Sequence, residues 1–176
     1  MTVNRIYLLP VVAILLLALS PAHAARQDTV QVVIPWEAEG QVFQVDTHTM
    51  LFLGAMEGVM YIESSRGEMH EAFVMCPFMQ KLDLDTGATD ATGRCEVSAS
   101  PVDVLYAELT CKGKVGDCKG KFTLIDGEGK FAGISGSGNL RVRSPMHGLI
   151  ADLGSGAILR VGSGLAIVND LKYRIP

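Results

Sequence analysis

Six methionines fall between positions 50 and 79 (Met50, Met56, Met60, Met69, Met75 and Met79), and two Met-His dipeptides occur, Met69-His70 and Met146-His147. Thioether sulfur and imidazole nitrogen suit copper(I), so Met69, His70, Met146 and His147 are the candidate metal ligands. The competing reading is packing. Methionine is flexible and polarizable and fills irregular cores and ligand pockets. The spacing of this run is irregular, and strand alternation would spread it over two faces.

The second reactive set is four cysteines, Cys76, Cys95, Cys111 and Cys118, at successive spacings of 19, 16 and 7. No Cys-x-x-Cys is present, and these spacings match no zinc ribbon or finger. An even count in an exported chain reads as two disulfides. Two connectivities compete. In the favoured one, Cys76–Cys95 and Cys111–Cys118, each pair flanks a turn signal: Asp85-Thr86-Gly87 in the first and the Lys112–Asp117 stretch in the second. Partners on neighbouring strands lie within the roughly 7 Å between Cα atoms that a bridge allows. The rival pairs Cys95 with Cys111 and Cys76 with Cys118.

Other chemistry is sparse. No Gly-x-Ser-x-Gly elbow and no phosphate loop occurs. Gly127-Glu-Gly-Lys-Phe-Ala-Gly133 has the wrong spacing for a dinucleotide fingerprint, and no βαβ pattern follows it. Glu57, Glu71 and Glu108 are candidate inward acids, though unpaired Glu normally stays on a solvated face. Tyr61 and Tyr106 are the candidate lumen hydroxyls. No catalytic residue and no cofactor is assigned. Net charge is −4 with a pI of about 5.5, which excludes the basic footprint that grips nucleic acid.

Residues 1–24 read as a secretory signal peptide. Arg5 precedes the apolar run Ile6–Leu19, and Pro21-Ala22-His23-Ala24 ends in Ala-x-Ala. The alternative is a membrane anchor, but the run is 14 residues long, short of the roughly 20 that span a bilayer. Cleavage removes one Arg and no acid, leaving 14 basic and 19 acidic residues, a formal charge of −5. No second long apolar run follows, so no membrane span is expected in the mature chain. The localisation expected is periplasmic or extracellular.

The elements that must position these residues are strands. Val30, Val32 and Ile34 precede Pro35-Trp36, and Val42–Val45 follows Gly40. Thr49–Leu53 and Val59–Ile62 flank Gly54–Gly58. Leu82 and Leu84 alternate with Asp83 and Asp85. Further runs lie at 102–109, 122–125, 140–143, 158–161 and 165–175. Turn signals recur about every ten residues, as in a sandwich or barrel. The best helix candidate is the short piece from Arg66 to Phe73, which reads equally as strand. Gly-Ser-Gly at 136–138, 154–156 and 162–164 reads as loop and bulge chemistry. Trp36, the only tryptophan, is a core or rim aromatic. One all-β domain from 25 to 176 follows. A closed antiparallel barrel abolishes sheet edges; a two-sheet sandwich is the alternative.

The run Cys118-Lys-Gly-Lys-Phe-Thr-Leu-Ile-Asp-Gly-Glu-Gly-Lys-Phe-Ala-Gly-Ile-Ser-Gly-Ser-Gly138 resembles allene oxide cyclase-like and dirigent-like barrels. There a Gly-x-Gly-Lys/Arg-Phe-x-Gly turn leads into a strand beginning Gly-x-Gly. It is more closely similar to small exported bacterial proteins of unassigned function with paired cysteines. Those often read Gly-Gly-Thr-Gly where this chain has Asp126-Gly127-Glu128-Gly129. The resemblance covers about 118–144, and loosely 76–144. It implies an eight-stranded antiparallel barrel that often self-associates, and it speaks to fold more than to chemistry. Cyclase activity rests on an apolar lumen with a few polar groups, none of which matches a position here.

The expected function is an exported, non-enzymatic barrel that binds an apolar small molecule, or a subunit of an envelope or extracellular assembly with itself or another envelope protein as partner. The alternatives are a cyclase-like enzyme with an apolar lumen and a copper-binding protein using Met and His.

Overall fold

The computed structural model describes residues 25–145 and 158–176. The signal-peptide assignment and the Met146-His147 pair lie outside them. Eight strands follow in chain order: β1 (Arg26–Gln44), β2 (Thr49–Glu63), β3 (Met69–Asp83), β4 (Ala88–Ser98), β5 (Val104–Lys114), β6 (Asp117–Gly127), β7 (Ser135–Arg143) and β8 (Ile158–Ile175). Each pairs antiparallel with the next, and β8 closes onto β1 from Arg26↔Ile175 to Gln41↔Ile158. The result is a closed barrel, not a two-sheet sandwich.

Alternation builds the wall. On β1, Val30, Val32, Ile34, Ala38 and Val42 are buried, while Gln31, Val33, Pro35, Glu37, Glu39 and Gln41 are exposed. Successive strand side chains point to opposite faces, so one register puts Val30, Val32, Ile34, Ala38 and Val42 inside and Glu37 and Glu39 outside. The Arg66–Phe73 piece is a turn followed by strand, with no helix in it.

Two expected breaks are absent. β1 runs unbroken through Gly40, and β2 through Gly54 and Gly58. None of these glycines has positive φ; the glycines that do are Gly67, Gly87, Gly116, Gly129, Gly133 and Gly136. Gly40 and Gly54 are register partners on the inner face. A Cβ on either would fall within 2.6 Å of the Phe52 ring. They are gaps that admit an aromatic ring. Asp126-Gly127 are the last two residues of β6, and the chain reverses just after them through the 3-10 turn Gly129–Phe131. Gly-Ser-Gly at 136–138 does coincide with a bulge, between Ser137 and Asn139. Gly-Ser-Gly at 162–164 lies within β8.

Both disulfides take the favoured pairing. The register Met75↔Glu96 and Phe78↔Gly93 sets Cys76 directly opposite Cys95, with Cα atoms 4.0 Å apart. Cys111 and Cys118 bridge diagonally, Cα atoms 5.5 Å apart. Their register partners are glycines, Cys111↔Gly120 and Gly113↔Cys118. A Cβ on Gly120 would fall 2.9 Å from Cys111 Cα, so the glycines leave the inner face free for the bridge. All four cysteines are buried.

Candidate functional site

An eight-stranded barrel has an interior just wide enough for side chains to fill it or for one small ligand. Here the two ends differ. At the end carrying the β2–β3, β4–β5 and β6–β7 connections, the lumen is filled by Val30, Leu105, Leu124, Ile134 and Leu171, with Phe131 and Tyr173 packed against them. Mid-barrel, Val32, Ile34, Val74, Val97, Phe122 and Val168 are fully buried.

The opposite end, with the β1–β2, β3–β4 and β5–β6 turns, holds a cavity of about 130 Å³. Its walls are mostly apolar: Ile34, Trp36, Phe52, Met56, Ala91 and Phe122 are representative. Aromatic residues leaning on glycines shape it. Phe52 covers Gly40 and Gly54, and Trp36 lies against Gly162 and Gly164. The Trp36 Nε1–H is buried with no hydrogen-bond partner, the only such side-chain atom among the described residues. The Cys111–Cys118 bridge forms part of the wall.

Polar groups in the cavity are few. Gln80 of β3 and Thr89 of β4 are on the inner face: Gln80 Nε2 donates to Thr89 Oγ1 at 2.7 Å, and Thr89 Oγ1 donates to the Lys81 carbonyl at 3.2 Å. Thr89 is the one buried polar residue among those described. At the rim, Asp117 is gripped by both Arg141 nitrogens, at 2.9 and 2.7 Å, with Arg143 at 3.7 Å. This fork geometry holds the Asp117 carboxyl below its usual pKa and raises that of Arg141. Lys114 donates to the Thr86 carbonyl and Ser144 to the Ser163 carbonyl.

The candidate lumen acids and hydroxyls are elsewhere. Glu57, Glu71 and Tyr61 are exposed on the outer wall. Glu108 pairs with Arg94 outside, and the Tyr106 hydroxyl donates to Glu128 at 2.8 Å, which raises the phenol pKa. None lines the cavity, because each has the outward parity of its strand.

The methionines divide between faces. Met50, Met56 and Met60 point inward, whereas Met69, Met75 and Met79 are exposed on β3. Met69 and His70 are successive strand residues, so they project to opposite sides; His70 Nε2 lies 3.9 Å from Glu68. Among the described residues no three His, Cys, Asp or Glu side chains cluster as metal ligands do. Gln80 and Thr89 went unmarked in the sequence, although a signal was there. Gln80 shares the inward parity of Val74, Cys76 and Phe78, so a polar residue interrupts an apolar series.

The outer wall has its own apolar feature. Val33, Tyr61, Val59 and Phe73 adjoin across β1, β2 and β3 through Val33↔Tyr61 and Val59↔Phe73, and Leu53↔Met79 extends the patch. Among the described residues, no helix is long and apolar enough to cross a membrane. No family model, curated protein or solved structure matches the chain.

Proposed function

We propose that this protein is an exported, non-enzymatic barrel that holds a small apolar molecule in the hollow half of its lumen. The observation carrying this reading is the cavity itself. Binding sites for small molecules are concave and mostly apolar, with a few placed polar groups, which describes the space between Trp36, Phe52, Ala91 and Phe122. Its size limits the guest: an apolar cavity of about 150 Å³ accepts benzene, so about 130 Å³ suits a single ring or a short branched chain. The leader pattern at 1–24 and the two internal disulfides support export, since such bridges persist in oxidising compartments. The non-enzymatic reading rests on the lining, where the one acid, Asp117, is locked to Arg141.

Titrating the protein with toluene and cyclohexane by calorimetry, with Trp36 fluorescence as the internal reporter, tests it. Saturable one-to-one binding, lost when Ala91→Leu fills the cavity in a still-folded barrel, is expected. Absence of saturable binding to the native protein, or binding indifferent to Ala91→Leu, overturns it. A second reading, a self-associating subunit of an assembly, is favoured by the patch around Phe73.

A further inference from the structure

We infer that the lumen selects an apolar molecule carrying one hydrogen-bond donor, a hydroxyl above all, and that Gln80 Oε1 is the acceptor that reads it. The inference rests on the proposed apolar guest and adds the polar group that guest must present.

The Lys81 backbone oxygen can only accept, so Thr89 Oγ1, which reaches it at 3.2 Å, must donate there. The threonine hydroxyl has a single hydrogen. Having spent it on Lys81, Oγ1 can only accept from the group facing it at 2.7 Å. That group is the amide nitrogen of Gln80, which donates to Oγ1. This pairing sets the orientation of the Gln80 amide. Its Oε1 is turned away from Thr89, and no donor among the described residues bonds to it.

Position makes this oxygen useful. Gln80 is on the inner face between Phe52 on β2 and Ala91 on β4, its register partners, and both line the same cavity. The oxygen is not sealed: among the described residues, Trp36 Nε1 is the only fully enclosed side-chain polar atom left unpaired. A guest that displaces water from Oε1 without returning a donor forfeits a hydrogen bond, whereas a guest with a hydroxyl restores it. A neutral hydrogen bond is worth about 0.5–1.5 kcal/mol net, so discrimination of about two- to twelvefold follows. A guest offering only an acceptor, such as a ketone or ether, gains nothing at Oε1.

The matched pair p-cresol and p-xylene, which exchanges a hydroxyl for a methyl at nearly constant shape, tests this by calorimetry on the folded, oxidised protein. We expect p-cresol to bind about two- to twelvefold more tightly and Gln80→Met to bring the two affinities together. A second readout needs no variant: the Gln80 side-chain carbonyl carbon should shift in NMR spectra on adding p-cresol and stay in place with p-xylene. Equal affinities in the native protein, a preference that survives Gln80→Met, or an unmoved Gln80 carbonyl resonance overturns the inference and leaves the apolar-guest reading standing. Failure of both ligands to bind removes that reading, and this inference with it.

Discussion

The Trp36 indole occupies the space that a side chain at Gly164 would need. The two residues are register partners on β1 and β8, and a Cβ on Gly164 would meet the Arg143 carbonyl oxygen first and then fall 2.7 Å from Trp36 Cζ2. Glycine here makes room for an aromatic ring in the barrel wall, and the ring in turn bounds the cavity. Gly164→Ala should therefore crowd both the Arg143 backbone and the indole. We expect a loss of roughly 1–3 kcal/mol, the usual cost of overpacking, together with altered Trp36 emission and weaker uptake of apolar probes. Urea denaturation and fluorescence on one preparation check all three. Unchanged stability and emission would show that the wall yields elsewhere.

The two bridges should differ in worth. Cys76–Cys95 closes a longer segment than Cys111–Cys118, with sequence separations of 19 and 7. Chain entropy gives about 3 kcal/mol for the first and about 2 kcal/mol for the second. Paired Cys→Ala variants should lose stability in that order under denaturant. The Cys111–Cys118 pair should also lose ligand affinity, because its bridge lines the cavity and the other does not. Reversal of either order would count against this assignment of roles.

Strand parity explains what could be read from the chain. Val30-x-Val32-x-Ile34 and Leu140-x-Val142 announce strands without any partner in view, and Asp85-Thr86-Gly87 and Val115-Gly116 mark turns through local backbone preference. Those features sufficed for the all-β class and for favouring one disulfide pairing, while the closed barrel was preferred over a sandwich because closure abolishes sheet edges and because of the resemblance at 118–144. Gly40 and Gly54 were misleading, because a glycine under an aromatic ring and a glycine in a turn look alike until the ring's address is known, and Gly58 sits instead against the Pro35 carbonyl. Phe52 and Trp36 supply that address only through register. The hollow end was illegible for the same reason: it depends on which side chains lean across the lumen, a tertiary property. Glu57, Glu71, Tyr61 and Tyr106 drew attention by residue type, while parity placed them outside.

Acid should loosen the barrel at its connections. Asp46 accepts the His48 backbone N–H, Asp83 is bonded first by the Thr86 hydroxyl, Asp103 by the Lys130 backbone N–H, and Asp117 by Arg141. Each carboxyl is held below its unfolded value of 3.8. A depressed folded pKa contributes stability that is complete above the unfolded value and disappears as pH falls through the folded one. Melting temperature should thus be flat from about pH 7 to about pH 5 and drop steadily below about pH 4. Asp117→Asn should lower the plateau slightly and reduce the acid slope, since one titrating group is gone. Thermal melts across that range decide it; identical slopes in the two proteins would mean the Asp117–Arg141 fork contributes nothing.

The patch around Phe73 leads to a different measurement. Its side chain is 51% exposed, and Val59, its register partner, is exposed beside it. Charged residues cover much of the remaining wall: Asp90, Arg94 and Glu96 on β4, Lys112 and Lys114 on β5, Lys119 and Lys121 on β6. Contiguous exposed apolar surface rimmed by polar groups marks contact sites, and two copies meeting patch to patch would remove it from water. Sedimentation should show mass rising with concentration. Phe73→Glu with Met79→Lys should hold the protein monomeric without changing its melting temperature by more than a few degrees, because both side chains lie outside the core. A native protein that stays monomeric up to its solubility limit would refute self-association through this wall.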